Sequence, residues 1–164
     1  MQNYKLRVGK SDDLLFLKEM LYEAVFWDRQ ENRPSLEELF ANPEIAKILQ
    51  NWNEREGDFS LIAVDEFDKL LGAAWYRFWT ASNHSYGFVD EDTPELGIAV
   101  KLEVRRMGIG KTLMNAVMKH AGEIGIKRMS LSVDPNNHAR KIYEKLGFRK
   151  IGVVGTSWTM VATL

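Results

Sequence analysis

Any fold this chain adopts must accommodate a short glycine-bearing corner, Arg105-Arg106-Met107-Gly108-Ile109-Gly110-Lys111-Thr112. Ahead of it, Leu96-Gly97-Ile98-Ala99-Val100 reads as a strand. Behind it, the run from Ile109 to Ile124 places Leu113, Ala116, Val117, Ala121 and Ile124 on one helical face. Two glycines at this spacing let the backbone turn tightly and leave its N–H groups pointing outward. Those donors, with the positive end of the helix behind them, make a seat for phosphate or pyrophosphate. Arg105, Arg106 and Lys111 add positive charge to the same place.

Spacing separates three motifs that could explain such a corner. A Walker A loop needs Gly, four residues, then Gly-Lys-Ser/Thr. Gly110-Lys111-Thr112 supplies its end, but Arg105 stands where the first glycine belongs. No convincing Walker B strand is present either, so a P-loop NTPase is disfavoured. A dinucleotide fingerprint needs a third glycine where Leu113 sits. The pattern that fits is Arg or Gln, two residues, Gly, one residue, then Gly or Ala, met by Arg105, Gly108 and Gly110.

The rest of the chain gives the order β-α-α-β-β-β-α-β-α-β-β. Tyr4–Val8 alternates as a half-buried strand, and Ser11 and Asp12 offer caps for a helix over about 12–27. Ser35 with Glu38 forms a capping box, and Asn42-Pro43 opens a helix with Ile45, Ile48 and Leu49 on one face. Residues 59–64 and 70–79 read as a hairpin around the polar turn 65–69, followed by a loop over 80–93. Met129, Leu131 and Val133 alternate in a further strand. A helix is expected over 136–146, then a closing hairpin from 148–154 and 157–161. With 164 residues and 45% hydrophobic content, a single domain can bury a core unaided. No apolar run approaches a membrane span, and the N-terminal residues lack an apolar export segment. There are no cysteines, hence no disulfide framework, thiolate metal site or cysteine nucleophile. These features lead us to expect a cytoplasmic protein without metal. Net charge is −1, but residues 1–100 sum to −9 and 101–164 to +8. A basic part suits a phosphorylated ligand and an acidic part a cation; the halves could equally pair with each other.

A second element lies downstream of the corner: Asn136, then Ala139, Tyr143 and Gly147-Phe148. With the corner and the strand Glu95–Val100, it makes the chain similar to the GCN5-related N-acetyltransferase (GNAT) superfamily, strongly over about 94–154. The resemblance implies a single acyl-CoA N-acyltransferase domain over 1–164 of the α/β (α+β) class. Its single mixed, mostly antiparallel sheet would be flanked by helices. Residues 1–93 would form the substrate side and 94–154 the acetyl-CoA core.

The resemblance also implies roles. Arg105, Arg106, Met107, Gly108, Ile109, Gly110, Lys111 and Thr112 would wrap the coenzyme pyrophosphate. Ile98, Ala99 and Val100 would hold the pantetheine arm, with a backbone N–H near Ala99 or Val100 polarising the thioester carbonyl. Asn136 would hydrogen-bond the pantetheine, although the sequence around it also suits a helix N-cap. Tyr143 is the candidate acid for the leaving thiolate, or else a core tyrosine on a face with Ala139 and Leu146. Glu95 is the candidate base for the amine, with Asp92 and Glu91 as competitors and a strand-end salt bridge as the plain alternative. His84, His120 and His138 form no cluster. Trp79, Tyr86 and Trp158 fall at loop edges where an aromatic wall could hold a cation. The expected reaction is direct acetyl transfer from acetyl-CoA to a primary amine of a small molecule. A protein or peptide amine acetyltransferase and a non-catalytic acetyl-CoA sensor are the alternatives. Nucleic acid and membrane are not expected partners, and a homodimer is left open.

Overall fold

The computed structural model of the chain describes residues 3–28 and 31–164. They form a seven-stranded mixed sheet flanked by helices, in the order β1-β2-β3-β4-β5-β7-β6. By compactness the chain divides into two units, one reaching to Trp75 and including Gly97–Val117, the other comprising Tyr76–Leu96 and Met118–Leu164.

The first unit holds β1 (Tyr4–Val8), β2 (Phe59–Asp65), most of β3 (Leu70–Arg77) and most of β4 (Glu95–Val100). β1 runs antiparallel to β2, with Tyr4 opposite Asp65 and Val8 opposite Leu61. Helix α1 (Leu14–Val25) lays Phe16, Leu17, Met20 and Leu21 into a core with Ile62, Val64, Ala73 and Trp75. The expected helix start at Ser11 or Asp12 is corrected. Residues 11–13 make a tighter single turn, and Asp13 does the capping work. Its carboxylate accepts the Lys10 N–H at 2.7 Å and both Arg7 nitrogens at 2.7 and 2.9 Å. The Arg7 bonds are the chief cause holding the Asp13 carboxyl below its ordinary range.

Two short helices follow. In α2 (Leu36–Phe40) Ser35 Oγ accepts the Glu38 N–H at 3.1 Å. In α3 (Pro43–Ala46) Asn42 Oδ1 accepts the Glu44 N–H at 3.0 Å, with Pro43 in the first turn. Ile45 and Leu49 are buried there as their spacing requires. β3 stops at Arg77, two residues short of expectation, and both Arg77 and Trp79 are buried.

Helix α4 (Ile109–Glu123) carries Leu113, Val117 and Ala121 inward, along with Met114. Ile124, expected on that face, is instead 61% exposed. The helix has ended, Gly125 takes φ +95°, and its N–H bonds Gly122 O, so the turn carries Ile124 outward.

The second unit holds β5 (Arg128–Val133), α5 (Ala139–Lys145), β6 (Arg149–Val154) and β7 (Ser157–Thr163). β7 pairs antiparallel with β5 and with β6, and Met129, Leu131, Met160, Ala162 and Phe148 are buried. α5 begins three residues later than expected. Asp134 accepts the N–H groups of Asn136 and Asn137 through its side chain and carbonyl, closing a turn before the helix. Asn137, not Asn136, then caps by accepting the Ala139 N–H at 3.0 Å.

Candidate functional site

The corner after β4 is built from backbone. Arg105 is extended, Arg106 takes φ +64°, and Gly108 takes φ +84° before α4 begins at Ile109. Left-handed residues so close together, feeding a helix N-terminus, fold successive N–H groups into a concavity that suits an anion. The first N–H groups of α4 have no partner inside the helix. Gly108 is required for its φ, since a side chain there would be strained though nothing lies within 4 Å. At Gly110 an added Cβ would meet only Val100 Cγ2 at 3.6 Å, an ordinary contact. The fold therefore tolerates alanine at 110, and only a ligand approaching the backbone would demand glycine.

The side chains divide between holding the corner and facing outward. Arg105 Nε donates to Val100 O at 3.1 Å, and Arg105 Nη2 donates to Glu23 Oε2 at 3.1 Å. Arg105 thus ties the corner to the end of β4 and to α1. Arg106, Met107, Lys111 and Thr112 are exposed, and Ile109 is buried. Glu23 also meets Arg33 at 3.8 Å and lines a cleft of about 520 Å³ with Glu19, Tyr22, Leu36 and Lys101–Glu103. Sequence reasoning did not single out Glu23, because its partner lies 82 residues away.

Along β4, Ala99 is buried while Ile98 and Val100 are half-buried. Lys101 N–H bonds Leu71 O at 2.8 Å on the β3 side. Within the second unit β4 runs parallel to β5, with Glu95 opposite Ser130.

The second unit carries Glu95, Asn136 and Tyr143. Glu95 is half-buried, and its carboxyl packs so close to Gly87 that an added Cβ would sit 2.9 Å from Cδ. Glu91 and Asp92 lie exposed on the preceding loop. Asn136 is exposed. Tyr143 is half-buried on α5 and meets Phe148 edge-on at 6.1 Å. Burial pushes its pKa up to about 12, so the hydroxyl holds its proton at neutral pH. Asp90 is kept below the usual carboxylate range by the Thr93 hydroxyl first, then the Asp92 N–H and Arg128.

The aromatic wall is corrected. Trp79 is buried, with the Arg77 guanidinium 6.0 Å from its ring. Trp158 is met by Arg140 at 4.9 Å and Lys150 at 4.4 Å, so the chain's own cations occupy it. Tyr86 alone of the three is exposed. Among the described residues no group of three His, Cys, Asp or Glu is placed to hold a metal ion, and no helix is long and apolar enough to cross a membrane.

Comparison with known proteins adds to this geometry. The model of the acetyltransferase (GNAT) family matches residues 20–148. A mycothiol acetyltransferase of Kocuria rhizophila is 28% identical over 106 residues, covering 62% of this chain and 32% of that protein. The chain spans about a third of the length of the curated relatives it matches. PaiA N-acetyltransferase from Thermoplasma acidophilum, solved in complex with coenzyme A, superposes with TM-score 0.67 and 22% identity over 99% of both chains. A GNAT-family acetyltransferase from Staphylococcus aureus Mu50 gives TM-score 0.71 at 17% identity, again over 99% of both chains.

Proposed function

Because this chain belongs to the acetyltransferase (GNAT) family, we infer that it transfers an acetyl group from acetyl-CoA to the primary amine of a small molecule. The observation that carries this reading is the backbone concavity at Arg106–Gly108, opening onto the N-terminus of a 15-residue helix. Its outward N–H groups, with Arg106 and Lys111 exposed beside them, fit a pyrophosphate. Acetyl-CoA would supply the acetyl group activated as a thioester.

Every other step falls to this chain's residues. Arg105 holds the corner in place through Val100 O and Glu23. Ile98, Ala99 and Val100 would offer the backbone to which the pantetheine arm adds as a strand would. A backbone N–H near Ala99 or Val100 polarises the carbonyl. Asn136 would hydrogen-bond the arm, the role the family resemblance implies. Glu95 takes a proton from the substrate's ammonium, directly or through water, and the neutral amine that results attacks the thioester carbon. Tyr143 gives its proton to the departing sulfur as the C–S bond breaks and the C–N bond forms, and the proton shed by the new amide nitrogen passes through water to restore the Tyr143 hydroxyl.

A thermal melt tests the reading. Acetyl-CoA binds the folded state only and should raise the midpoint, while ATP at the same concentration does so far less. Equal stabilisation by ATP, accompanied by ATP hydrolysis, would overturn it.

A further inference from the structure

The coenzyme corner is braced from the other end of the chain. Tyr4, the first residue of the edge strand β1, places its hydroxyl 2.8 Å from Thr112 Oγ1 in the first turn of α4. Thr112 has one hydroxyl proton, and it goes to Gly108 O at 3.0 Å. Tyr4 must therefore be the donor to Thr112, and the bonds run in one direction, from Tyr4 to Thr112 to Gly108. The backbone N–H of Thr112 goes to the same Gly108 carbonyl at 3.0 Å. Both Thr112 donors are thus committed to holding Gly108.

What this chain of bonds controls follows from peptide geometry. A trans peptide points its N–H opposite to its C=O. Two donors fixing Gly108 O toward the body of α4 turn the Ile109 N–H outward, into the concavity. Gly108, at φ +84°, sits at the most permissive backbone position of the corner. The backbone bond from Thr112 already holds that peptide, and Tyr4 adds an anchor from outside the helix, itself fixed by the antiparallel pairing of β1 opposite Asp65.

We propose that Tyr4 is a positioning residue for the coenzyme's phosphates, acting through Thr112 on the Gly108–Ile109 peptide. Tyr4 touches no reacting atom. Thr112 acts with it as a brace, with no hydroxyl proton left to donate to phosphate. This inference rests on the coenzyme reading of the corner.

Calorimetric titration of coenzyme A into the purified chain tests both, separably. Tyr4→Phe keeps the ring and should weaken coenzyme A by about three- to tenfold, the range of one lost hydrogen bond. Thr112→Val should weaken it at least as much, and Thr112→Ser should restore near-wild-type affinity. Tyr4→Phe combined with Thr112→Val should be no worse than Thr112→Val alone, because the bonds act in series. A merely structural tyrosine gives another pattern, a lower melting temperature with unchanged affinity. Tight wild-type binding with Tyr4→Phe within twofold overturns the brace alone. Absence of wild-type binding overturns the coenzyme reading and the brace with it. If Tyr4→Phe fails to fold, equal affinities for Thr112→Ser and Thr112→Val overturn the brace.

Discussion

The corner at 105–112 and the segment from Asn136 to Tyr143 were both singled out by residue spacing, yet the structure builds them in opposite ways. The corner is made of backbone, with positive φ at Arg106 and Gly108 and a helix N-terminus behind them. Its glycine spacing is a requirement on the main chain, so it can be read from a short stretch of sequence. In the second region the proposed chemistry rests on side chains, Asn136 exposed and Tyr143 half-buried. Whether such side chains act or merely pack depends on their neighbours, which spacing does not reveal. The difference teaches that a motif fixes main-chain geometry more firmly than it fixes a side chain's role.

The largest expected effect bears on the side-chain region. Tyr143→Phe keeps the ring against Phe148 and removes only the hydroxyl. With saturating acetyl-CoA, turnover should fall about 10²-fold or more while coenzyme affinity stays near wild type. Near-normal turnover, with a stability loss on the order of 1 kcal/mol, would make Tyr143 a packing residue. On the backbone side, Gly108→Val should weaken coenzyme A by about 30-fold, roughly 2 kcal/mol, with the folded spectrum retained. Gly110→Ala should cost much less, because its Cβ meets only an ordinary contact. Equal losses at the two positions would break the distinction between them.

Smaller effects probe what holds each region. Asp13→Asn should destabilise the first unit by about 2 kcal/mol, since it weakens charge-assisted bonds to Arg7 and Lys10. Asp13's folded pKa is lowered, so its contribution is present above its ordinary pKa and lost as pH falls below it. An acid titration of stability should therefore be shallower in the variant. In the second unit the sign reverses. Burial raises Tyr143 and Tyr76 to about 12. Their contribution holds below the ordinary value of 10.0 and is lost as pH climbs from there toward about 12. Tyr76→Phe should flatten that alkaline loss, measured by fluorescence melts at stepped pH.

Much of the fold was legible because its signals are local. Ser35 with Glu38 and Asn42 with Pro43 act within three residues, and the alternating strands needed only their own side chains. What failed was decided by tertiary contact or by competing turns. Ile124 follows the helical period, but Gly125 ends the helix and turns it out. Asn136 looks like a cap, but the helix starts at Ala139, whose N–H goes to the Asn137 side chain. Trp79 looks like a loop-edge aromatic, but it is buried with Arg77. In the site, Arg105, Gly108 and Gly110 were legible as a pattern. Their supports were not, because Glu23 lies 82 residues from Arg105 and Tyr4 lies 108 from Thr112. No local pattern could have signalled either.

The central claim is acetyl transfer to a small amine, and product analysis tests it most directly. The purified chain would be incubated with acetyl-CoA and a panel of primary amines, including polyamines and amino sugars, and followed by mass spectrometry and thiol release. The account predicts at least one amine acetylated on nitrogen, with one coenzyme A released per product and turnover lost in Tyr143→Phe. Coenzyme binding without any acetylated amine, or acetylation confined to protein lysines and N-termini, would contradict it.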